Sequence, residues 1–310
     1  MKSLLRLAII ADATALLTLT LGSWTRINGA GLTCPDWPLC RGRLVPSLGD
    51  GTIWEWSHRL LASAVAPLVL ALIAVAWRQR RRSPFVAPAM GVIALLFLTQ
   101  VALGAETVRL GNSPLSVVLH WATAMALIAA ISAMAIFAAA SDETLDSPHD
   151  ASRAGSVLAY ALGLTALAAF VTMCVGAYVS SSGAGLACLS IPGCAGNVVV
   201  YSSGQYVQMI HRLAAGATLI FAAGAVALAW ACGASRRVRM ASLLGAGLVA
   251  VQILLGLLNV ALRLPTDLRE AHAVNAALLF LAFFIATAFA MLDAGARGRR
   301  RPLAEERAGP

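Results

Sequence analysis

Asn28-Gly29-Ala30-Gly31-Leu32-Thr33-Cys34, carried on through Cys40, returns as Ser182-Gly183-Ala184-Gly185-Leu186-Ala187-Cys188 through Cys194, at an offset of 154 residues. The correspondence continues in order. His58-Arg59-Leu60 pairs with His211-Arg212-Leu213 at an offset of 153; Gln100 and Gly104 pair with Gln252 and Gly256, and His120 with His272, all at 152. An offset that drifts by two residues over almost half the chain marks two copies of one structural unit in tandem.

The units belong to a membrane protein. Hydrophobic residues make up 59% of the chain and charged residues 12%, with a mean hydropathy of +0.80, far from the globular average. Windows long enough to cross a bilayer pick out eight apolar stretches, near 4–25, 55–77, 85–105, 116–140, 156–180, 206–230, 241–262 and 270–293. The expected fold is all-α, with eight transmembrane helices as two tandem four-helix bundles. Each unit holds an even number of spans, so the copies are parallel, related by a pseudo-two-fold axis along the membrane normal. The division is an N-terminal repeat over 1–140, a polar linker over 141–155, a C-terminal repeat over 156–293 and a basic tail over 294–310. The first apolar run continues past Ala11-Asp12-Ala13 to Trp24 and has a counterpart in the second unit, so it is a span and not a removed signal.

The net charge of +9 is bunched into short runs, Arg78 to Arg82, Arg236 to Arg239 and Arg297 to Arg301, each following an even-numbered span. Lys and Arg gather on the cytoplasmic side of membrane proteins, which places both termini inside and argues against a nucleic-acid partner. The expected location is the plasma membrane, with the bilayer as the first partner.

Four of the five histidines, His58, His120, His211 and His272, stand near the outer start of the even-numbered spans. Ionisable rings are costly in hydrocarbon, and a duplicated set in register calls for a ligand. A four-helix bundle offering one imidazole from each of two helices is a standard way to hold haem iron. The pairs are His58 with His120 and His211 with His272. No recurring cysteine or carboxylate supplies the third ligand that zinc or copper would need. His149 lies in the linker, lacks a repeat partner and is expected to be solvated.

Cys34 and Cys40, and Cys188 and Cys194, fall in outer loops in an oxidising compartment, where two local disulfides are expected. They staple loops; thiol chemistry at Cys34–Cys40 is the sharper alternative. Cys174 and Cys232 have no partners in this scheme. Three residues before His58 stands Glu55, and three before His211 stands Gln208. A carboxylate in one unit opposite an amide in the other suggests proton-coupled chemistry in the first unit and a held cofactor in the second. Arg59 and Arg212 are candidates to meet haem propionates, which need cationic partners, or to snorkel to the interface.

The run Gly29-Ala30-Gly31-Leu32-Thr33-Cys34-Pro35-Asp36-Trp37-Pro38-Leu39-Cys40, followed by Glu55-Trp56-Ser57-His58-Arg59, resembles the first outer loop and second helix of the haem A synthase family. The resemblance covers almost the whole chain except the linker and tail. It implies oxidation of the methyl group at ring position 8 of haem O to a formyl group, by successive hydroxylations and loss of water, giving haem A for terminal oxidases. It further implies that His211 and His272 ligate a resident haem b, that His58 and His120 bracket the substrate haem, and that Glu55 is the catalytic group. Haem O synthase and an electron acceptor are the implied partners, and a homo-oligomer is compatible with the sequence. The second loop, Cys188-Leu189-Ser190-Ile191-Pro192-Gly193-Cys194, lacks the tryptophan of the first and is less suited to join the chemistry. Two rival classes remain at this level: a bis-histidine cytochrome b that passes electrons without modifying haem, and a repeat-built transporter. A transporter would carry broken helices or midplane charges, whereas the charges here cluster at span ends.

Overall fold

A computed structural model of the chain describes residues 1–140 and 153–298, apart from 192, 195, 197 and 198. Expectations for most of the linker, His149 included, and for the tail beyond 298 lie outside the described residues. Eight long helices account for nearly all of what is described: α1 Lys2–Ile27, α2 Thr52–Gln79, α3 Val86–Arg109, α4 Pro114–Ala140, α5 Arg153–Ser181, α6 Ser203–Ala231, α7 Arg236–Ala261 and α8 Thr266–Gly298. All eight are long and apolar enough to cross a membrane. The protein is a multi-pass membrane protein. The helices extend beyond the apolar windows by a few residues, because polar and charged side chains continue the helix once it leaves hydrocarbon.

Packing follows the duplication. Within the first four helices α1 packs on α2 and α4, and α3 on α4; within the second four α5 packs on α6 and α8, and α7 on α8. The two groups meet through α1, α4, α5 and α8. These four are the inner helices. In α8, 56% of the apolar window is buried inside the protein, against 11% in α3. Leu95 and Leu98 of α3 and Leu243, Leu244 and Leu254 of α7 therefore face outward, as lipid-facing positions should. At the centre, Met125, Ile128, Ile131 and Met134 of α4 and Phe283 of α8 are fully buried, and Gly245 of α7 sits directly beneath the Phe283 ring.

Polar ties cross this apolar interior at few places. Ser132 of α4 donates to Asp12 of α1 at 2.6 Å, and Arg237 of α7 pairs with Asp293 of α8. Such bonds fix helix register, because an unpaired polar group in hydrocarbon is costly.

The repeat also reaches the backbone of the turns. Gly111 and Asn112, between α3 and α4, have φ of 60° and 55°; Arg263 and Leu264, between α7 and α8 at the same offset of 152, have 61° and 62°. A leucine in the left-handed region is strained, and packing must hold it there. Leu264 lies over Gly185, where an added Cβ would meet its Cδ1 at 2.9 Å, just as Asn112 lies over Gly31 and donates to its carbonyl at 2.9 Å. The Gly-Ala-Gly motif is thus the seat on which the turn between the next two helices rests.

Candidate functional site

A cavity of about 410 Å³ lies within the first four helices, and one of about 550 Å³ lies within the second four with α1 and α4 at its edge, each at the disulfide-loop end. Both lie within the range of small-molecule and cofactor sites, about 300–1,000 Å³. His58 and His120 line the first cavity, His211 and His272 the second. The structure brings together the pairs expected from spacing.

Each imidazole is seated on a glycine of the preceding helix. A Cβ on Gly22 of α1 would lie 2.6 Å from Cε1 of His58, and one on Gly176 of α5 would lie 2.8 Å from Cε1 of His211. Gly104 and Gly256 stand in the same relation to His120 and His272, at 3.2 and 3.3 Å. At Gly22 and Gly176 a side chain would force the ring to shift, whereas at Gly104 and Gly256 the ring need give by only a few tenths of an ångström. Gly104 and Gly256 were visible in the repeat; Gly22 and Gly176, together with Thr18 and Thr172, were not singled out by spacing, although both pairs recur at 154 residues.

Hydrogen bonds set the rings' tautomers. His58 Nδ1 donates to the Thr18 carbonyl at 3.0 Å and His211 Nδ1 to the Thr172 carbonyl at 3.2 Å. A carbonyl only accepts, so the proton is on Nδ1 and Nε2 keeps its lone pair. In the second unit Gln252 Nε2 donates to His272 Nε2 at 3.1 Å, its amide orientation fixed by Asn275, which donates to Gln252 Oε1 at 2.7 Å. Gln100 stands 3.5 Å from His120 in the first unit, with no partner for its buried Oε1, since Thr123 occupies the position matching Asn275. The Nδ1 atoms of His120 and His272 are buried without partners.

This donor set fits haem iron. His58 and His211, oriented through Nδ1 by backbone carbonyls, present Nε2 lone pairs in the form that ligates metal, and His120 and His272 face them across the two cavities with a glutamine amide at Nε2 that a metal would displace. The His211 and His272 ring centres are 6.4 Å apart. A metal between two imidazoles, bonded to each at about 2 Å with each ring centre about 1 Å beyond its nitrogen, requires about 6 Å.

Above each cavity lies the disulfide loop. Cys34–Cys40 and Cys188–Cys194 are both formed, each with its Cα atoms 4.6 Å apart, while Cys174 and Cys232 are free thiols. The first ring is further tied by Asp36, which accepts the backbone N–H groups of Gly42 and Arg41; these bonds hold its carboxyl below the ordinary range.

Glu55, buried at the start of α2, lines the first cavity and fastens the loop to it: Oε2 accepts the N–H of Cys34 at 2.9 Å and the hydroxyl of Thr33 at 3.0 Å. Gln208 repeats the device, accepting from the Cys188 N–H at 2.6 Å and donating to the Gly185 carbonyl at 2.8 Å. The arginines after the histidines reach the loops. Arg59 donates to the carbonyls of Asp36 and Leu39 at 2.6 Å, to Cys34 at 2.7 Å and to Glu55 at 2.6 Å; Arg212 donates to Ser190 and Gly193 at 2.7 Å and to Cys188 at 2.8 Å. Both arginines also line their cavities, Arg59 the first and Arg212 the second. A seven-residue ring has few internal partners for its carbonyls, so the guanidinium fork supplies them and its terminal nitrogens are committed to the loop.

Arg59→Leu therefore strands a buried carboxylate and three carbonyls at once. Breaking a buried pair from one side costs about 3–5 kcal/mol, expected here as a clear fall in thermal unfolding temperature in detergent. An unfolding temperature within a degree or two of wild type would show that the loop carries no such stability.

The sequence matches the cytochrome oxidase assembly protein family (COX15-CtaA) over residues 5–284. It is 30% identical to a haem A synthase of Bacillus licheniformis, the alignment covering 92% of this chain and 95% of the relative. It is 31% identical to one of Geobacillus kaustophilus, over 94% and 92%, and 28% identical to one of Shewanella oneidensis, over 90% and 93%. Two histidine-lined cavities under two stapled loops and a match along nearly the full chain agree, and the chain belongs to the haem A synthase family.

Proposed function

We propose that this protein is an oxidoreductase that converts haem O to haem A by oxidising the methyl group at ring position 8 to a formyl group, with the substrate held between His58 and His120 and a resident haem b between His211 and His272. The observation that carries the reading is a difference at matching positions of the two cavities: Glu55 lines the first where Gln208 lines the second. A cytochrome that only passed electrons would gain nothing from a buried carboxylate in one site alone.

The bound haem b supplies a one-electron redox centre. The rest is work for the chain. His58 and His120 orient the substrate; Thr18 and Gly22 keep the His58 ring from turning; Glu55, at the cavity wall beneath the stapled loop, is the group suited to hold or move a proton as the methyl carbon loses hydrogen. Trp37 and Pro38 of the loop line the first cavity, so the loop limits water there. The basic runs after α2 and α6 support cytoplasmic termini and outer loops in the plasma membrane, with the two units related by a pseudo-two-fold axis along the membrane normal. Haem O synthase, an electron acceptor and a second copy of the chain are the proposed partners.

The test is direct. Purified protein incubated with haem O and an electron acceptor is expected to yield haem A, identified by mass after extraction. Recovery of haem O alone, from protein that retains its second haem, would leave the cytochrome reading in its place.

A further inference from the structure

With Arg59 and Arg212 committed to the loops, the carboxylate side chains of a bound tetrapyrrole need other cations. Arg26, at the outer end of α1, lines both cavities, and Arg269, at the outer start of α8, lines the second. Each stands one turn outward of the imidazole layer. Arg26 follows Gly22, the seat of His58, by four residues, and Arg269 precedes His272 by three; one turn is about 5.4 Å. The two meet across the junction of the units. Arg269 Nη1 donates to the Ile27 carbonyl at 3.5 Å, and Arg26 Nη2 donates to Ser180 of α5 at 3.1 Å. Their charged neighbour is Glu270, buried beside Ser23. Two guanidinium groups beside one carboxylate at the wall of an apolar cavity leave a positive site that favours an anion.

Neither arginine is duplicated. Ser180 occupies the position matching Arg26, and Val117 the position matching Arg269. Beyond the loop-bound Arg59 in the first cavity wall and Arg212 in the second, the second cavity thus has two further cations and the first has a share in one. We propose that Arg26 and Arg269 form an anion clamp at the junction between the units, which takes the carboxylate groups of the tetrapyrrole in the second cavity, while of the two only Arg26 reaches the first. The inference rests on both cavities being haem sites, and it supplies a reason for one haem to stay and the other to exchange. A resident cofactor is gripped by two charge-assisted contacts, and a substrate that must leave as product meets only one.

The experiment titrates full-length protein, produced without haem, with haem b and with its dimethyl ester, which keeps the iron and ring but removes both charges. Wild type is expected to bind the diacid about 10- to 100-fold more tightly than the diester at its tighter site, the range of charge-assisted hydrogen bonds. Arg26→Gln/Arg269→Gln should weaken the diacid by that factor and leave the diester unchanged, the unchanged diester also showing that the variant is folded. Arg26→Lys/Arg269→Lys should recover most of the preference. Equal affinity of wild type for the two forms, or a preference that survives in the double glutamine variant, overturns the clamp. Failure of wild type to bind either form overturns the haem reading itself and the clamp with it.

Discussion

Glu55→Gln is expected to lower the rate of haem O oxidation by about 10²- to 10⁴-fold, the usual contribution of a positioned acid or base, while the loop and the second haem remain in place. The second unit is the internal control for this substitution. Gln208, at the matching position, already holds its loop by accepting from Cys188 N–H and donating to the Gly185 carbonyl, beneath an arginine that grips three loop carbonyls. A glutamine at 55 can accept from Cys34 N–H in the same way, so the variant removes the charge and the ion pair with Arg59 but keeps that tie to the loop. Residue 55 does not line the second cavity, whose haem absorbance should be unchanged. Glu55→Ala, by contrast, removes both the charge and the tie to Thr33 and Cys34, and should also lower thermal stability. If the glutamine variant turns over haem O within a few-fold of wild type and only the alanine variant fails, Glu55 is a loop anchor and the catalytic assignment falls.

The large features were legible because they depend on regularities that a linear sequence carries. Hydrocarbon thickness fixes span length, so eight apolar windows predicted eight helices with ends shifted by a few residues. Duplication in register announced the histidines and the cysteine pairs. What spacing could not carry was the direction of a side chain at the junction of elements. Arg59 follows His58 directly, and nothing in the sequence says that its guanidinium turns up to the loop carbonyls. Arg26 and Arg269 are 243 positions apart and in different units; only the packing of α1 on α8 brings them to one wall. The distinction between Gln100 and Gln252, identical as letters, comes from Thr123 or Asn275 beside them, a neighbour on the next helix.

The glycine seats were partly legible, and their distances set the second large expectation. At Gly176 a methyl group would lie 2.8 Å from Cε1 of His211, closer than carbon atoms approach without displacement, whereas at Gly256 it would lie 3.3 Å from Cε1 of His272, a contact relieved by a few tenths of an ångström. His211 cannot yield freely, because Nδ1 is bound to the Thr172 carbonyl at 3.2 Å; moving the ring away from α5 weakens that bond and shifts Nε2 from the line toward His272. Gly176→Ala is therefore expected to weaken haem retention in the second cavity by about 10- to 100-fold, the cost typical of losing a partner that orients a metal ligand. Gly256→Ala should cost only a few-fold. The order of the two effects, measured as haem per chain after dialysis against a haem-binding competitor, is the informative quantity: equal losses would mean that ring placement is not what glycine provides at these positions. The same substitutions in the first unit, Gly22→Ala at 2.6 Å and Gly104→Ala at 3.2 Å, should reproduce the order in substrate affinity while leaving the second haem bound, since the first cavity's seats lie on α1 and α3 and touch His58 and His120 alone among the four histidines.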